Sequence, residues 1–309
     1  MLDVTRLRVL AAVARHGSVT AAAEALHYAQ PSVSHHLARL EAETGTRLTQ
    51  RAGRGIRLTP AGRLLAERAE EILGRLDAAE AELAEHAGLR AGRVRLAAFP
   101  SALGSFVPVA AAWFAAAHPG VALEFVEAEP PEALRLLRNG DADLAVIFDY
   151  SPVTGQSGDG RRITPLFEDP LHLVTAPTTT LGDASGRTPD ASGAVPDLAA
   201  YAGARWIAGC VRCRESLVRR CAEAGFVPDI AFTTDDYVAV QALVAAGLGV
   251  TILPDLALRA HRSPAVVTTP LPGGARQVSV AAFGAPPDPP ATAALLAFLA
   301  RAADAPSPP

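Results

Sequence analysis

The chain has 309 residues, of which half are apolar and only 5% are aromatic, so it can build two or three domains with cores of alanine, valine and leucine. Its net charge is −4, and all 28 basic residues are arginines. No stretch approaches the roughly 18 unbroken apolar residues of a membrane helix. Charged residues interrupt the amino-terminal positions that are apolar in a signal peptide, and three clustered cysteines do not suggest a secreted disulfide framework. We therefore expect a cytoplasmic protein that has no membrane partner.

The first forty residues predict three short helices. Apolar residues between positions 7 and 14 share one helical face, and Gly17 suits the end of that helix. Ser18 is a suitable N-cap for the alanine-rich second helix, in which Ala22, Ala25 and Leu26 share a face. Pro31 suits the first turn of a third helix, where its missing N–H costs nothing.

The third helix has one apolar side and one polar side. Val33, Leu37 and Leu40 follow each other at helical spacing. The side chains left on the other faces are polar or hydrogen-bonding: Gln30, Ser32, Ser34, His35, His36 and Arg39. A helix that reads the major groove of DNA needs such a face, beginning at its N-terminus. A solvated helix hairpin inside a bundle would have the same pattern.

A short basic hairpin follows the three helices. Residues 46–59 contain Gly53 and Gly55 at a predicted turn, with Arg51, Arg54 and Arg57 on its tip and outer face. Three helices followed by such a hairpin predict a winged helix-turn-helix, whose wing lies along the phosphates.

These segments together closely resemble the LysR-type transcriptional regulators. The resemblance rests on the helix SVTAAAEAL, the helix QPSVSHHLARLE, the turn LTQR and the sequence RLTPAG at the start of the next helix. It implies that the partner is double-stranded DNA, and we expect contacts to base edges from Gln30, Pro31, Ser34 and His35. Phosphate contacts are expected from Ser32, Arg39, Arg51, Arg54 and Arg57, and the predicted surface also includes Ser18, Thr20 and His36. His35 and His36 replace the arginine or glutamine often found there in the family, so the preferred DNA sequence is open.

The distribution of charge agrees with a DNA-binding head. Residues 1–64 carry nine arginines and four acidic residues, a net charge of +5, whereas residues 65–89 carry two arginines and seven acidic residues, a net charge of −5. The remaining 220 residues carry a net charge of −4. A basic end on an acidic body indicates a protein that meets nucleic acid with one end only.

A long helix is predicted to begin with Thr59 as its N-cap and Pro60 in its first turn, and to end near Gly88 or Gly92. Its apolar residues form a stripe at alternating four- and three-residue steps: Leu65, Ala69, Ile72, Leu76, Ala79 and Leu83. The stripe is compatible with packing on its own domain and with dimerisation. The resemblance favours dimerisation, because members of the family dimerise through this linker helix.

From Arg93 onwards, predicted strands alternate with predicted helices, which implies an α/β fold with a parallel sheet. The predicted elements include a helix from about Arg214 to Ala224 and separate strands at 165–167, 171–176, 266–271 and 278–283. The resemblance implies a regulatory domain like a periplasmic binding protein, with two α/β lobes joined by crossover strands. The expected domains are a winged helix-turn-helix (1–59), a linker helix (60–90) and an effector-binding domain (91–303). Lobe I is expected to comprise 91–163 and 269–303 and lobe II 164–268. The segments 177–196 and 304–309 are expected to be a mobile loop and a disordered tail.

Ligands of open α/β sheets bind beyond the carboxyl ends of the strands, which suggests three positions for an effector. Ser101 follows the first strand, Glu129 follows the second, and Thr234-Asp235 follows a later one. Helix capping explains the same residue types. The predicted effector-binding residues are Ser101, Glu129, Phe148, Cys210, Thr234 and Asp235. Members of the family often carry serine or threonine in place of Glu129, so this chain is better suited to a cationic or hydroxyl-bearing effector than to a carboxylate.

The three cysteines allow more than one interpretation. Cys210 and Cys213 form a CxxC motif with Cys221 nearby, and neighbouring arginines could lower the pKa of a thiol. A redox switch, as in peroxide-sensing members of the family, is one interpretation, and buried packing cysteines are the other. A zinc site is not predicted, because it needs four ligands and no histidine is close in sequence.

The sequence predicts a regulator and not an enzyme. It contains no P-loop, no GxSxG and no HExxH motif, and we expect no catalytic residue, no metal site and no cofactor. The predicted function is DNA-binding transcriptional regulation by a homodimer or homotetramer, which forms through the linker helix and the regulatory domains. A small-molecule effector that binds between the lobes is expected to modulate promoter binding or activation. The alternatives are a cysteine-based redox-sensing regulator and a solute-binding or enzymatic α/β module with a DNA anchor.

Overall fold

A computed structural model describes residues 2–52, 55–86, 92–150, 160–177, 197–284 and 286–304. The chain divides into two compact units: Met1–Gly92 with Arg135–Asp143, and Arg93–Leu134 with Leu144–Pro309. Within the described ranges, no helix has both the length and the apolar composition needed to cross a membrane. Most of the predicted mobile loop 177–196 lies outside the described residues, as do positions 305–309 of the predicted tail.

The N-terminal part of the chain contains three helices, a hairpin and a long helix, in the predicted order. These elements are α1 (Val4–His16), α2 (Val19–Ala25), α3 (Gln30–Thr44), β1 (Thr49–Ala52), β2 (Gly55–Leu58) and α4 (Pro60–His86). The Ser18 hydroxyl accepts a hydrogen bond from the Ala21 N–H at 3.1 Å, and the Thr59 hydroxyl accepts one from the Gly62 N–H at 3.0 Å. Both predicted N-caps are therefore confirmed.

The helices bury the predicted faces of α1 and α3 in one core, except that Ala14, the last residue of the predicted α1 face, is exposed. The members of this core are Leu7, Val9, Leu10, Val13, Val33, Leu37, Leu40 and Leu48, together with alanines of α2 and α4. The predicted face of α2 is partly wrong, because Ala22 and Ala23 are buried whereas Ala25 is exposed. The reason is that α2 ends at Ala25, and the chain then turns through His27, whose φ of 54° lies in the left-handed region.

The apolar stripe of α4 has two parts. Leu65 packs against the core of the three helices and Ala69 is fully buried in it, as expected for packing on its own domain. One and two turns further along, Ile72 and Leu76 are 42% and 37% exposed. The structure describes α4 as far as His86, and the predicted end of this helix near Gly88 or Gly92 falls at the edge of residues 87–91, which lie outside the described ranges.

The C-terminal part contains a six-stranded sheet with the strand order β4-β3-β5-β10-β6-β9 and a two-stranded parallel sheet, β7-β8. The strands are β3 (Gly92–Ala98), β4 (Val121–Glu127), β5 (Leu144–Asp149), β6 (Arg161–Thr175), β7 (Arg205–Ala208), β8 (Asp229–Thr233), β9 (Thr251–Pro254) and β10 (Val267–Phe283). The helices are α5 (Pro100–Leu103), α6 (Phe106–Ala117), α7 (Pro130–Arg138), α8 (Val211–Glu223), α9 (Tyr237–Ala245), α10 (Asp255–Ala260) and α11 (Pro290–Asp304), with a 3-10 turn at Leu198–Tyr201. The predicted α/β fold is confirmed, but the expectation of a parallel sheet is wrong for the six-stranded sheet. There β3 and β5 pair in parallel, whereas β10 pairs antiparallel with β5 and β6, and β9 pairs antiparallel with β6, because β10 returns across the sheet from the other direction.

Two strands are longer than the sequence predicts. The separate segments expected at 165–167 and 171–176 belong to the 15-residue β6, and those expected at 266–271 and 278–283 belong to the 17-residue β10. These two strands pair antiparallel from Val267–Thr175 to Phe283–Arg161, with register shifts between Pro270 and Ala275 and between Val278 and Ser279. Prolines and glycines at these irregularities interrupt the apolar pattern, and this interruption divided each strand in the sequence-based prediction.

Candidate functional site

The outward side of α3 carries the polar residues that the sequence singled out. Val33, Leu37 and Leu40 face the core, which fixes the rotation of the helix. The opposite side is exposed, and we call it the α3 face: Gln30, Pro31, Ser32, Ser34, His35 and Arg39. His36 is half-buried, and its ring lies 6.0 Å from the ring of Tyr28. The 3.6-residue period thus places six of the predicted DNA-contacting residues together on the surface.

Two other predicted residues belong to α2. Thr20 is exposed. The hydroxyl of Ser18 is half-buried and holds the first turn of α2 through the Ala21 N–H, so its described role is that of a helix cap.

The hairpin formed by β1 and β2 carries the remaining predicted residues. Its strands pair from Thr49–Leu58 to Ala52–Gly55, with Arg51 opposite Ile56 and Arg57 opposite Gln50. The side chain of Arg57 is exposed. Arg54 lies outside the described residues.

Glu41, which no local pattern in the sequence distinguishes, connects α3 to this hairpin. Its Oε1 accepts hydrogen bonds from the N–H groups of Leu48 and Thr49, both at 2.8 Å, and from the Thr49 hydroxyl at 3.0 Å. A carboxylate that accepts three hydrogen bonds holds the start of β1 at the end of α3. Only its charge among polar neighbours was visible in the sequence, and charge alone does not reveal such a role.

A cleft opens at the carboxyl ends of the strands in the C-terminal unit. Five of the six predicted effector-binding residues line it: Ser101, Glu129, Cys210, Thr234 and Asp235. Its wall also includes residues that were not predicted: Tyr237, Arg276, Cys213 and the apolar side chains of β9 and α10. Phe148 lies behind this wall, where its ring packs edge-to-face against Phe99 at 4.9 Å.

The helices beside the cleft explain which polar groups are free to face it. Asp236 caps α9, because its Oδ1 accepts hydrogen bonds from the N–H groups of Val238 and Ala239 at 2.9 and 3.1 Å. The Thr234 hydroxyl accepts a hydrogen bond from the Asp236 N–H at 3.2 Å. Asp235 is exposed at the cleft. The capping role that competed with ligand contact in this segment therefore belongs to Asp236 and, in part, to Thr234.

Arg276 is the buried cation of the cleft wall. Its Nε donates to Asp169 Oδ2 at 2.8 Å and its Nη2 donates to the Ser101 hydroxyl at 2.9 Å. The guanidinium lies over the rings of Phe99 and Phe148, at 4.8 and 4.3 Å from their centroids. Since Arg276 and Asp169 are only 3% and 1% exposed, the arginine is largely neutralised by its partner.

Glu129 places an unpartnered carboxylate oxygen in the wall of the cleft. Its Oε2 is buried without a hydrogen-bond partner among the described residues. Burial raises the pKa of this carboxyl, and the nearby negative charge of Asp235 raises it further. A carboxyl in this position can donate or accept a hydrogen bond, or balance a cation that enters the cleft.

The two cysteines of the CxxC motif meet at the start of α8. This helix begins three residues earlier than the sequence predicts, with Cys210 as its N-cap residue. The Cys210 Sγ accepts a hydrogen bond from the Cys213 N–H at 3.4 Å and donates to the Cys213 Sγ at 2.8 Å. Cys221 is fully buried in a separate apolar cluster with Trp206. Within the described ranges, no group of three histidine, cysteine or acidic side chains could hold a metal ion.

Family models of known proteins match both the N-terminal and the C-terminal part of the chain. Residues 4–63 match the family model for the bacterial regulatory helix-turn-helix protein of the lysR family, and residues 87–304 match the LysR substrate binding domain. The chain is 32% identical over 286 residues to the uncharacterized HTH-type transcriptional regulator YcgK of Bacillus subtilis (strain 168). The alignment covers 86% of this chain and 84% of that protein.

Solved structures share the fold over nearly the whole chain. A full-length OxyR variant from Pseudomonas aeruginosa aligns with a TM-score of 0.67 and 21% identity, covering 98% of this chain and 95% of that one. Full-length CbnR in complex with its target DNA aligns with a TM-score of 0.61 and 22% identity, covering 97% and 100%. With family models matched in both units, the chain belongs to the LysR family of transcriptional regulators and is not an enzyme.

Proposed function

We propose that the α3 face reads base edges in the major groove and that the hairpin lies along the DNA backbone. Gln30, Pro31, Ser34 and His35 are assigned to base edges, and Ser32, Arg39, Arg51, Arg54 and Arg57 to phosphates, with Ser18, Thr20 and His36 at the margin of the surface. The observation that carries this proposal is the exposure of the whole α3 face over a fully buried apolar side. Major-groove donors and acceptors differ for every base pair, so a helix face of short polar side chains can discriminate among them.

The basic residues are expected to supply most of the affinity for DNA, and the α3 face is expected to discriminate among DNA sequences. Phosphate contacts release counterions, so their contribution depends on salt and not on sequence. CbnR, whose fold this chain shares, has been seen with its target DNA, which supports the assignment of DNA as the partner.

A pair of substitutions separates the two roles. We expect Arg57→Ala to weaken binding to all DNA fragments and to reduce the slope of log K against log salt by about one. His35→Ala should relax discrimination by about 1–3 kcal/mol at one position and leave the salt slope unchanged. Arg301→Ala, which removes an equal charge from α11, is the matched control. Equal losses on specific and random DNA for Arg57→Ala and His35→Ala would contradict the assignment.

We propose that the cleft binds a small-molecule effector through Ser101, Glu129, Cys210, Thr234 and Asp235, with Phe148 supporting the wall. The unpartnered buried oxygen of Glu129 carries this proposal, because an unsatisfied buried polar group is costly unless a ligand satisfies it. Arg276 is already paired with Asp169, so the cleft offers hydroxyl and carboxyl groups and no free cation among its described residues. A ligand with an ammonium or hydroxyl group suits this set better than a carboxylate.

The effector proposal is tested by thermal unfolding of the full chain against matched amines, polyols and carboxylates. We expect an amine or polyol to raise the unfolding midpoint and to alter DNA footprints. Asp235→Asn and Thr234→Val should reduce the ligand-induced shift, whereas Asp304→Asn, on the last turn of α11, should leave it intact. A shift that survives both cleft substitutions would place the ligand elsewhere.

We propose the expected division into 1–59, 60–90 and 91–303, with lobes at 91–163 with 269–303 and at 164–268, and a cytoplasmic location. A ligand between the lobes would change their angle, and the oligomer would transmit this change to the spacing of the DNA-binding ends.

The exposed Ile72 and Leu76 support dimerisation through α4. Ile72→Arg with Leu76→Arg should lower the mass measured by analytical ultracentrifugation, and an unchanged mass would remove α4 from the interface.

A further inference from the structure

Only Cys210 of the CxxC motif belongs to the proposed effector-binding set, and the geometry of the two cysteines together has a separate chemical consequence. Cys210 precedes the first turn of α8 and Cys213 ends that turn, so the helix brings both side chains to one side. Their sulfur atoms lie 2.8 Å apart, both at the wall of the cleft. A shortening of about 0.8 Å would reach the bond length of a disulfide.

We propose that Cys210 and Cys213 are a redox-active dithiol, which closes to a disulfide when a hydroperoxide enters the cleft and opens again under thiol reductant. The proposal does not depend on effector binding, because it rests on the two sulfur atoms and their immediate neighbours. It assigns a modification site to the first turn of α8.

The surroundings of Cys213 favour its thiolate. The Cys210 thiol donates a hydrogen bond to its sulfur and lowers its pKa; burial opposes this shift, and the positive charge of Arg276 and a hydrogen bond from the Tyr150 hydroxyl at 3.4 Å lower the pKa further. The pKa of Cys210 is raised, because it holds the proton that the two sulfurs share. Cys213 is therefore the nucleophile and Cys210 the resolving thiol.

The reaction balances with a hydroperoxide as the oxidant. The Cys213 thiolate attacks the nearer peroxide oxygen, the O–O bond breaks, and Cys213 becomes a sulfenic acid while an alkoxide or hydroxide leaves. Cys210 then attacks the sulfenic sulfur, its proton joins the departing hydroxyl as water, and the S–S bond forms. The dithiol loses two electrons and the peroxide gains them.

Disulfide formation would change how α8 is held against the end of β5. Cys213 accepts its hydrogen bond from Tyr150, and Arg212, between the two cysteines, donates to Asp149 Oδ2 at 2.6 Å. Tyr150 and Asp149 are adjacent at the carboxyl end of β5. A disulfide sulfur accepts a hydrogen bond less strongly than a thiolate, so oxidation weakens the hydrogen bond from Tyr150 to Cys213. Oxidation also alters the helical turn that carries Arg212, and therefore its contact with Asp149.

The third cysteine provides a matched control. Cys221 is fully buried among Trp206 and Leu217, and burial raises its pKa to about 11. It lies eight positions after Cys213 on the same helix. An inert buried thiol is expected there, so oxidation should not require it.

Intact mass spectrometry of the full chain tests the proposal. After one equivalent of hydrogen peroxide, the wild type and Cys221→Ser should each lose two hydrogen atoms per chain and recover them with dithiothreitol. Cys210→Ser should instead give a sulfenic acid at Cys213 that dimedone traps, and serine is a good N-cap, so this variant should fold. No mass loss in the wild type, or mass loss that disappears in Cys221→Ser, would overturn the proposal.

The pH profile of alkylation distinguishes a reactive thiol from a packing residue. With iodoacetamide, Cys213 should react at lower pH than Cys221, and Tyr150→Phe should slow Cys213 about five- to tenfold at neutral pH by removing one hydrogen bond to the thiolate. Equal profiles for Cys213 and Cys221, or no change in Tyr150→Phe, would show that the sulfur contact is packing alone and contradict the proposal.

Discussion

The α3 face and the cleft differ in how the chain assembles them. The α3 face comes from one stretch of ten residues, its polar side chains are exposed, and the apolar side of the same helix fixes its orientation. The cleft combines Ser101, Glu129, Cys210, Asp235 and Arg276, which are up to 175 positions apart, and several of these polar groups are buried.

This difference separates stability from function in the N-terminal unit and couples them in the C-terminal unit. On the α3 face, the residues that we propose to contact DNA are not those that hold the fold. In the cleft, Arg276 connects β10 to β6 through Asp169 and to α5 through Ser101, so the same hydrogen bonds shape the site and stabilise the sheet. Four sets of substitutions test this contrast.

The largest effect is expected from Arg276→Ala. It leaves Asp169 buried without its cation and should lower the free energy of unfolding by about 3–5 kcal/mol in urea titrations. In the control Arg259→Ala, a more exposed ion pair is lost, in which Arg259 Nε lies 2.6 Å from Asp255 Oδ2. This change should lower the free energy of unfolding by at most about 1 kcal/mol. The double variant Arg276→Met with Asp169→Leu should recover much of the loss, and equal destabilisation by Arg276→Ala and Arg259→Ala would remove the contrast.

Glu41→Ala should have the second largest effect and is the exception within the N-terminal unit. Three hydrogen bonds to Leu48 and Thr49 are lost, so we expect a loss of about 2 kcal/mol and weaker DNA binding through a displaced hairpin. Glu43→Ala, which removes the partner of Arg6 at the surface, is the control and should cost less than about 1 kcal/mol. Denaturant midpoints and fluorescence anisotropy with a DNA fragment measure both.

Glu129→Gln should stabilise the protein slightly, and the gain should depend on pH. Burial raises the pKa of Glu129, so the folded state holds this proton more tightly than the unfolded state and wild-type stability falls as pH rises above about 4.5. Glutamine does not titrate, so the variant should be up to about 1 kcal/mol more stable at neutral pH and equal to the wild type near pH 4. A constant difference across that range would mean that the carboxyl is not buried in the folded protein.

The smallest effect on stability is expected from Ser34→Ala and His35→Ala. Both side chains are exposed, so the unfolding free energy should stay within about 0.5 kcal/mol of the wild type. Discrimination between DNA sequences should nevertheless fall. A large loss of stability in either variant would mean that the α3 face also supports the fold.

The sequence predicted the α3 face because its signal is local. Val33, Leu37 and Leu40 repeat at the period of the helix, and the side chains between them must then point outwards. The caps Ser18 and Thr59 were predictable for the same reason, since a cap acts within three residues of its own position. Ala25 was misplaced because the left-handed turn at His27 ends α2 before that residue can be buried.

The cleft was predicted only in part. Positions 101, 129, 234 and 235 followed from the rule that ligands bind beyond the carboxyl ends of strands. The contacts of Arg276 with both Ser101 and Asp169 could not be predicted, because nothing in a local pattern pairs residues 107 or 175 positions apart. The early start of α8 was also missed, and it is this start that makes the two cysteines neighbours.

The sequence by itself determined the order of helices and strands, the basic head on an acidic body, and membership of a family, because these follow from periodicity, composition and motifs read along the chain. Only the tertiary structure decided that β6 and β10 are continuous, that Glu41 holds the hairpin, and that Arg276 is paired inside the cleft wall. The physical reason is the same in each case. Local propensity fixes which backbone conformation a segment adopts, whereas the partner of a buried polar group is whichever distant group the packed sheet brings within hydrogen-bonding distance.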